Sequence, residues 1–336
     1  MESLQVFELS NRRGMKLTAT NFGGKVISLW VPDRKGILAD VVLGYDHAAH
    51  YLHGNPHFGA LIGRFANRIA NGRFTLNGKA YSLTVNNRNN ALHGGPNGFH
   101  NVLWRVEEHS SRFLKLSYFS QAGEEGYPGN LKVMVDYRLT DDNEFVIDYH
   151  AQTDEATPVN LTSHSFFNLA GEGNGTILDH ELMICASAFC PVDENLIPTG
   201  VLQSVTNTVF DFTQASSIGS RIHEAESQLA HANGYDHTWV LNKKANELSL
   251  AARVSEPQSG RVMEVFTSEP GIQFYSGNFL NSSDIGKKGK SYGFRSALCL
   301  EAQHFPDSPN QPSFPSTILQ PNETYQQTTV HRFSIV

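Results

Sequence analysis

Residues 131–151, LKVMVDYRLTDDNEFVIDYHA, alternate apolar and polar side chains on both sides of a short polar stretch. Every second residue from Leu131 to Leu139 is apolar, and the alternation resumes from Phe145 to Ala151. Successive side chains of a strand point to opposite faces, so a period of two predicts half-buried strands. The polar residues 140–143 between them have the composition of a turn. The segment therefore predicts an antiparallel β-hairpin.

A second hairpin is predicted around Asn77-Gly78, which separates the short runs Phe74-Thr75-Leu76 and Tyr81-Ser82-Leu83. A type I′ turn needs positive φ at both central residues, and Asn-Gly supplies it readily. The 28 glycines and 14 prolines punctuate the whole chain. Such spacing is typical of many short strands joined by turns.

Helical periodicity is scarce along the chain. The best candidate helix covers Ser216 to Leu229, and a weaker candidate of little more than one turn covers Asp46 to Tyr51. No β-α-β rhythm, linker or internal repeat divides the sequence, so a doubly wound parallel sheet is not expected. We predict an all-β fold, a large antiparallel β-sandwich with few short helices, formed by residues 1–336 as a single domain.

Composition narrows the class of partner. The 336 residues carry a formal net charge of −7, and the isoelectric point is near 6.1. Nucleic acids and anionic membranes both favour a basic face, so neither is an expected partner. No stretch approaches the ~20 apolar residues that span a bilayer. A neutral or weakly charged small molecule is the expected ligand.

The cysteines and the first residues indicate a cytoplasmic protein. Cys185, Cys190 and Cys299 form no CxxC pair and are too scattered for a disulfide framework. The start, Met1 to Val6, lacks the basic and apolar regions of a secretory signal.

Several apparent cofactor motifs fail on spacing. Gly289-Lys290-Ser291 resembles the end of a phosphate-binding loop, but Asp284 stands where the motif requires glycine. The crowded histidines His50, His53 and His57 match no zinc-ligand spacing, and we expect them in exposed loops. The sequence has no GxSxG motif of a serine hydrolase. No metal or nucleotide site is predicted.

Polar residues interrupt apolar runs in four main segments. These are residues 63–69 (GRFANRI), 91–95 (ALHGG), 159–169 (VNLTSHSFFNL) and 297–301 (ALCLE). Each has an ordinary structural explanation as well as a functional one. A histidine or arginine in such a run is often a satisfied core residue, the arginine pairing with a carboxylate such as Asp236. Gly94-Gly95 allows either a plain turn or close backbone approach to a ligand, and Glu301 could cap the loop at 307–310.

Together and in this order, the segments resemble the aldose 1-epimerases, also called galactose mutarotases. The resemblance extends over essentially the whole chain. It is carried by residues 21–24, 40–45, 63–69, 92–95, 123–129, 160–169, 234–237, 271–280 and 299–310. It implies a large β-sandwich, sometimes called a supersandwich, and interconversion of the α and β anomers of a free aldohexose such as galactose or glucose. It also implies that no metal or organic cofactor is needed.

The resemblance assigns roles to individual residues. His164 matches the general acid that protonates the ring oxygen, and Glu301 matches the general base that removes the anomeric hydroxyl proton. His93 resembles a supporting histidine that hydrogen-bonds the sugar. The other substrate-binding positions are matched by Asn67, Arg68, Asp236 and Gln273.

Anomer exchange suits an imidazole and a carboxylate. Ring opening removes the O1 proton while the ring oxygen gains one, and each positioned proton transfer is worth roughly 10²–10⁴-fold. His164 can act as an acid at cellular pH if a carboxylate or the pocket raises its pKa slightly, and we expect partial burial to raise the pKa of Glu301. Phe274 or Trp239 could stack on a sugar face. Ser163 and Phe166, where many family members have asparagine and tyrosine, could alter sugar preference.

Three rival functions remain open at this point. A hexose 6-phosphate epimerase would need a basic cluster near C6 of the sugar, and a carbohydrate-binding protein would need no acid–base pair. A glycosidase would need two carboxylates flanking the scissile bond. The preferred aldose, and the choice between monomer and homodimer, are not predicted.

Overall fold

The computed structural model describes residues 3–55 and 57–336, and Met1 and Glu2, which belong to the predicted non-secretory start, lie outside them. The strands are β1 Val6–Ser10, β2 Lys16–Thr20, β3 Val26–Pro32, β4 Leu38–Asp40, β5 Ala60–Ile62, β6 Arg68–Ile69, β7 Arg73–Leu76, β8 Lys79–Ser82, β9 Ala91–Leu92, β10 Arg105–Ser110, β11 Phe113–Ser120, β12 Leu131–Leu139, β13 Glu144–Thr153, β14 Thr157–Pro158, β15 Thr162–His164, β16 Glu181–Ile184, β17 Ala186–Cys190, β18 Gln203–Ser204, β19 Ser216–Ser217, β20 Asp236–Leu241, β21 Ser249–Ser255, β22 Arg261–Thr267, β23 Gly271–Tyr275, β24 Cys299–Gln303, β25 Ile318–Leu319 and β26 Tyr325–Ile335.

Helices are few in the described part of the chain, as the sequence predicts. The α-helix α1 spans Ser227–Ala232. The 3-10 helices span Ala48–Leu52, Ala70–Gly72, Phe99–Asn101, Glu124–Gly126, Ile218–Ser220, Lys287–Gly289 and Ser308–Asn310. None of the helices in residues 3–55 and 57–336 is long and apolar enough to cross a membrane.

The largest sheet has nine strands in the order β10-β11-β12-β13-β26-β22-β21-β16-β19. The hairpin predicted for residues 131–151 is confirmed: β12 and β13 pair in antiparallel register from Leu131↔Thr153 to Leu139↔Phe145. Alternate residues of β12 are buried, because every second side chain points into the sandwich. The hairpin at Asn77-Gly78 is confirmed too, with φ of 52° and 77° at its two turn residues.

The helix predicted for residues 216–229 is wrong over most of its length. Ser216 and Ser217 form β19, which pairs with β16 at the edge of the large sheet. The backbone N–H groups of Ile218 and Gly219 also donate to carbonyl oxygens of the chain before β16, at 2.9 and 2.8 Å. Sheet-edge hydrogen bonds therefore replace α-helical ones at residues 216–219, and a 3-10 helix at Ile218–Ser220 and turns follow until α1 begins at Ser227. The one-turn helix predicted near residues 46–51 is confirmed as the 3-10 helix Ala48–Leu52.

A five-stranded sheet, β18-β17-β20-β23-β24, and a four-stranded sheet, β1-β2-β3-β4, complete the main layers. One cluster of buried apolar side chains joins them. It includes Leu17 of the small sheet, Val133 and Met263 of the large sheet, and Trp239 and Phe274 of the five-stranded sheet. Burial of this apolar surface is the main stabilising contribution to such a fold.

Strands β20, β23 and β24 set polar residues in adjacent rows. Directly paired residues, and residues two apart on one strand, share a face of an antiparallel sheet. The shared face, which we call the polar face, consists of Asp236, Thr238, Gln273, Tyr275, Cys299 and Glu301. The intervening residues, such as Trp239, Phe274 and Leu300, lie on the opposite face within the apolar core.

Candidate active site

A cleft opens over the polar face. It contains about 620 Å³ of empty space including its mouth. It is lined by Asn55, His57, Asn67, Arg68, Leu92, His93, His164, Phe166, Asp236, Tyr275, Phe279, Leu280 and Glu301. Six of the seven predicted site residues therefore line one cleft, and the seventh, Gln273, lies directly behind it.

The two predicted proton-transfer groups face each other in this cleft. His164 ends the short strand β15, which pairs with β5, and Glu301 is the third residue of β24. Nε2 of His164 lies 3.5 Å from Oε1 of Glu301. The other carboxylate oxygen, Oε2, is buried and has no hydrogen-bond partner among the described residues. Buried polar atoms are rarely left unpaired, so this oxygen is available to a ligand.

Burial acts on the protonation of both groups. It lowers the pKa of His164 to about 4, against a small opposing effect of the backbone carbonyl of the same residue. Burial also raises the pKa of Glu301 well above its usual value, helped by the nearby charge of Asp236 and opposed by Arg68. The expected direction for Glu301 is confirmed, whereas the pKa of His164 is not raised, because desolvation lowers it. The pair therefore holds one proton over a wide range of pH.

His93 and Asn67 are held in a reciprocal backbone arrangement. The N–H of Asn67 donates to Nδ1 of His93 at 3.2 Å, and the N–H of His93 donates to the carbonyl of Asn67 at 3.0 Å. Because Nδ1 accepts, the ring proton of neutral His93 is on Nε2. Burial lowers the pKa of His93 well below its usual value, which keeps the ring neutral. His93 is thus a fixed neutral donor beside His164, at 5.2 Å between ring centroids.

Gly94, directly after His93, allows two backbone segments to approach closely. A Cβ on Gly94, whose φ is +82°, would lie 2.0 Å from the carbonyl oxygen of Gly63. Only glycine permits that approach. Of the two open explanations for this pair, the structure gives Gly94 a structural reason, close packing of backbone segments. Its role is to bring the loop that carries His93 against the segment that carries Asn67.

Arg68, Asp236 and Gln273 form a connected polar group. Nε2 of Gln273 donates to Oδ1 of Asp236 at 2.7 Å, and a guanidinium nitrogen of Arg68 lies 3.9 Å from Oδ2 of Asp236. Gln273 also accepts a hydrogen bond from Thr238. Gln273 is absent from the cleft wall and orients Asp236 from behind. Burial raises the pKa of Asp236, and the charge of Arg68 and the hydrogen bond from Gln273 oppose that rise.

The ordinary structural explanations hold for some residues and fail for others. Arg64 is structural, because its guanidinium donates to carbonyl oxygens of Pro128 and Gly129 at 2.7 and 2.9 Å. Arg68 does pair with a carboxylate, yet it also lines the cleft. Glu301 does not cap the loop at 307–310. Asp307 of that loop instead accepts hydrogen bonds from the backbone N–H of Ala70 and from the side chain of Asn310.

The predicted stacking aromatics are wrong. Trp239 and Phe274 are fully buried on the core face, because they alternate along their strands with cleft residues. The cleft instead exposes Phe279, which is 57% accessible; its ring centroid lies 5.8 Å from that of Tyr275 at an interplanar angle of 20°. Phe279 follows the end of β23 by four residues, so strand alternation could not locate it. An exposed aromatic ring beside a polar cleft is suited to packing on the apolar face of a sugar.

His57 is the site residue that the sequence placed elsewhere. His50 and His53 are exposed, as predicted, but His57 lines the cleft. Its ring stacks on His164 with centroids 5.5 Å apart at 21°. Its backbone N–H donates to the side chain of Asn55, another cleft residue, at 3.0 Å. No spacing rule relates residue 57 to residue 164, and only the pairing of β5 with β15 brings them together.

The spacing of His93, His164 and Glu301 would also suit a metal ion. Their potential ligand atoms lie within 4.8 Å of one another. Two histidines and one carboxylate with an open position are a common zinc set. The same three groups provide a donor, an acid and a base for a sugar, which is the chemistry that the sequence resemblance implies. A chelator such as EDTA distinguishes these two possibilities, because only a metal site would lose activity in it.

The fold and the cleft together define an antiparallel β-sandwich protein with an acid–base site for a small polar ligand. The aldose 1-epimerase family profile matches residues 5–332. Galactose mutarotase from Bos taurus is 47% identical over 333 residues, which cover 99% of this chain and 95% of that protein. Aldose 1-epimerase from Escherichia coli K12 is 38% identical over 331 residues, covering 98% and 95%.

Solved structures agree with these relatives. An aldose epimerase homologue from C. elegans superimposes with a TM-score of 0.92 at 33% identity, covering 99% of this chain and 100% of that one. Galactose 1-epimerase from Lactobacillus acidophilus gives a TM-score of 0.85 at 25% identity, covering 100% and 99%. The chain belongs to the aldose 1-epimerase family, and the predicted fold class is confirmed.

Proposed function

We propose that this protein is an aldose 1-epimerase that interconverts the α and β anomers of a free aldohexose such as galactose or glucose. The observation that carries the proposal is the buried pair of His164 and Glu301, with Nε2 3.5 Å from Oε1. The free carboxylate oxygen of Glu301 in the same cleft supports it. The family membership established above agrees with this chemistry.

In the proposed reaction, the imidazolium of His164 donates its Nε2 proton to the ring oxygen, and Glu301 accepts the proton of the anomeric hydroxyl. The bond between C1 and the ring oxygen breaks as the C1 carbonyl forms. Rotation about C1–C2 presents the other carbonyl face. On reclosure, Glu301 returns its proton to O1 and His164 regains the proton of the attacking hydroxyl. The enzyme ends in its starting protonation state.

Burial favours the uncharged form of the pair, in which Glu301 holds the proton, over the ion pair. Both forms contain one proton, so they differ only in which atom holds it. A sugar hydroxyl that donates to Oε2 of Glu301 stabilises the carboxylate. Substrate binding thus favours the reactive ion pair, with His164 as the acid and Glu301 as the base.

The substrate-binding roles follow from charge and geometry. His93 offers its Nε2 proton, Arg68 offers guanidinium donors, and Asn67 and Asp236 offer side-chain oxygens to sugar hydroxyls. Gln273 contributes through Asp236.

Polarimetry of freshly dissolved α-galactose tests the function directly. The protein is expected to accelerate the approach to anomeric equilibrium, and a panel of glucose, arabinose and xylose gives its preference. Activity is expected to persist in excess EDTA, because the proton pair needs no metal. Failure to accelerate any aldose would overturn the assignment, and a loss in EDTA that zinc restores would assign His93, His164 and Glu301 to a metal instead.

Substituting Asp236 is expected to weaken sugar binding. Asp236→Ala removes the acceptor that Gln273 and Arg68 hold in place, so KM rises by about tenfold while kcat changes little. Initial rates over a range of galactose concentrations measure both constants. Asp142→Ala, which changes an exposed aspartate, serves as the control. A large loss of kcat with unchanged KM would contradict a binding role for Asp236.

The rival functions are less well supported by the cleft. Among the described residues that line the cleft, Arg68 is the only lysine or arginine, and it pairs with Asp236. The described lining therefore offers no unpaired lysine or arginine to bind the 6-phosphate of a sugar. The second carboxylate that a glycosidase would need is Asp236, which is already engaged by Arg68 and Gln273. A binding protein would have no use for a buried imidazole–carboxylate pair.

We further propose that residues 1–336 act as one domain, because the apolar core extends from Phe7 to Phe333. A cytoplasmic location remains a prediction, supported by the three free cysteines.

A further inference from the structure

We propose that Cys299 is a positioning residue for catalysis, whose thiol holds Nδ1 of His164 so that Nε2 alone exchanges protons. The inference rests on the proposed epimerase function. Sγ of Cys299 lies 3.5 Å from Nδ1 of His164, and both groups are buried.

Side chains of one strand, β24, contact both nitrogens of the His164 imidazole. Cys299 and Glu301 are two residues apart on β24 and share the polar face. Cys299 contacts Nδ1 while Glu301 contacts Nε2. A ring contacted at both nitrogens from one rigid strand cannot turn about its Cβ–Cγ bond without losing both contacts. The strand therefore fixes the direction in which Nε2 points.

The remaining surroundings of the ring constrain its plane rather than its nitrogens. Phe166 stacks on His164 with centroids 4.9 Å apart at 25°, and His57 stacks at 5.5 Å and 21°. Stacked rings resist turning of the imidazole about Cβ–Cγ, but they offer no hydrogen-bond partner to Nδ1. The thiol is the side-chain partner of that nitrogen among the described residues.

The chemistry of a buried thiol suits this position. Burial raises the pKa of Cys299 well above its usual value, and the charges of Glu301 and Asp236 raise it further. The group therefore stays a neutral thiol. When the pair of His164 and Glu301 holds one proton, Nδ1 carries a hydrogen in both of its forms, and sulfur accepts it as a weak acceptor. A carboxylate at this position would add a charge that favours imidazolium and makes His164 a weaker acid.

The test compares two substitutions of Cys299 in the full-length protein. Cys299→Ala removes the acceptor and is expected to lower kcat for galactose mutarotation by about tenfold, with KM within about twofold. Cys299→Ser keeps an acceptor and is expected to restore kcat to within about threefold of the unaltered protein. Cys185→Ala, a cysteine outside the cleft, is the control and is expected to leave both constants unchanged.

A spectroscopic measurement separates positioning from packing. In the unaltered protein, ¹⁵N shifts of the His164 ring, assigned by comparison with His164→Gln, are expected to show a protonated Nδ1. The same signal in Cys299→Ala is expected to move toward a mixture of tautomers. If the alanine variant does not fold, kcat and the ¹⁵N shifts of the serine variant still test the inference.

Two results would overturn the inference. One is an unprotonated Nδ1 in the unaltered protein, and the other is a kcat for Cys299→Ala equal to that of the unaltered protein. An unaltered protein without mutarotase activity would instead refute the proposed function, so the two failures are distinguishable.

Discussion

His164→Gln lowers kcat for anomer exchange by at least ~10²-fold, because the amide cannot donate a proton to the ring oxygen. His164→Ala is expected to do the same. Glutamine retains a polar side chain of similar reach, so the loss reports proton transfer rather than an emptied cleft. KM is expected to change much less, because His93, Arg68 and Asp236 still line the cleft.

The measurement is polarimetry with purified protein, accompanied by thermal unfolding to show that each variant is folded. His50→Gln provides a matched control, since His50 is exposed and outside the cleft. Near-normal kcat in a folded His164→Gln protein would remove this histidine from the chemistry. The remaining candidates would then be His57 and His93, which line the same cleft.

Glu301→Gln is expected to lower kcat by a similar factor of at least ~10²-fold, because an amide cannot accept the anomeric proton. The change is nearly isosteric, so packing at the end of the cleft is preserved. The two substitutions act on one proton-transfer unit, so the double variant is expected to be little worse than either single variant. Multiplicative losses in the double variant would show that the two groups act independently.

The pH dependence gives a further signature of the pair. Below the pKa of His164, which burial lowers to about 4, both groups are protonated and no base remains. Above the pKa of Glu301, which burial raises well above its usual value, both groups are deprotonated and no acid remains. The profile of kcat/KM is therefore expected to be bell-shaped, with its acid limb near pH 4 and its alkaline limb lost in Glu301→Gln. An acid limb near the ordinary histidine value would contradict the burial of a neutral imidazole.

Local sequence patterns predict which residues lie on strands of the site, but not which strands are neighbours in the sheet. The apolar run 297–301 correctly indicates a buried strand that carries Glu301, which is β24. It does not reveal that β23 lies between β20 and β24, which is what sets Asp236 near Glu301. Such pairing depends on contacts between distant parts of the chain. The resemblance over the whole chain predicted that these residues lie together in one site, which local spacing could not predict.

The errors have the same origin. Phe274 and Trp239 are aromatic and close to site residues in sequence, but a shift of one residue on a strand moves a side chain to the opposite face. His57 appeared to belong to an exposed loop with His50 and His53. Its place in the cleft follows from the pairing of β5 with β15, which joins residues about a hundred positions apart.

The position of β26 has a consequence for how the protein is made. This strand, Tyr325–Ile335, is the last in the described chain, yet it lies at the centre of the large sheet between β13 and β22. While the ribosome is still synthesising residue 324, both neighbours present unpaired backbone edges, which are sites of aggregation in sheet proteins. The cleft strands can pair earlier, but the sandwich closes only after residue 335 has emerged. A chain that ends before β26 is therefore expected to leave the edges of β13 and β22 unpaired and to aggregate rather than close the sandwich.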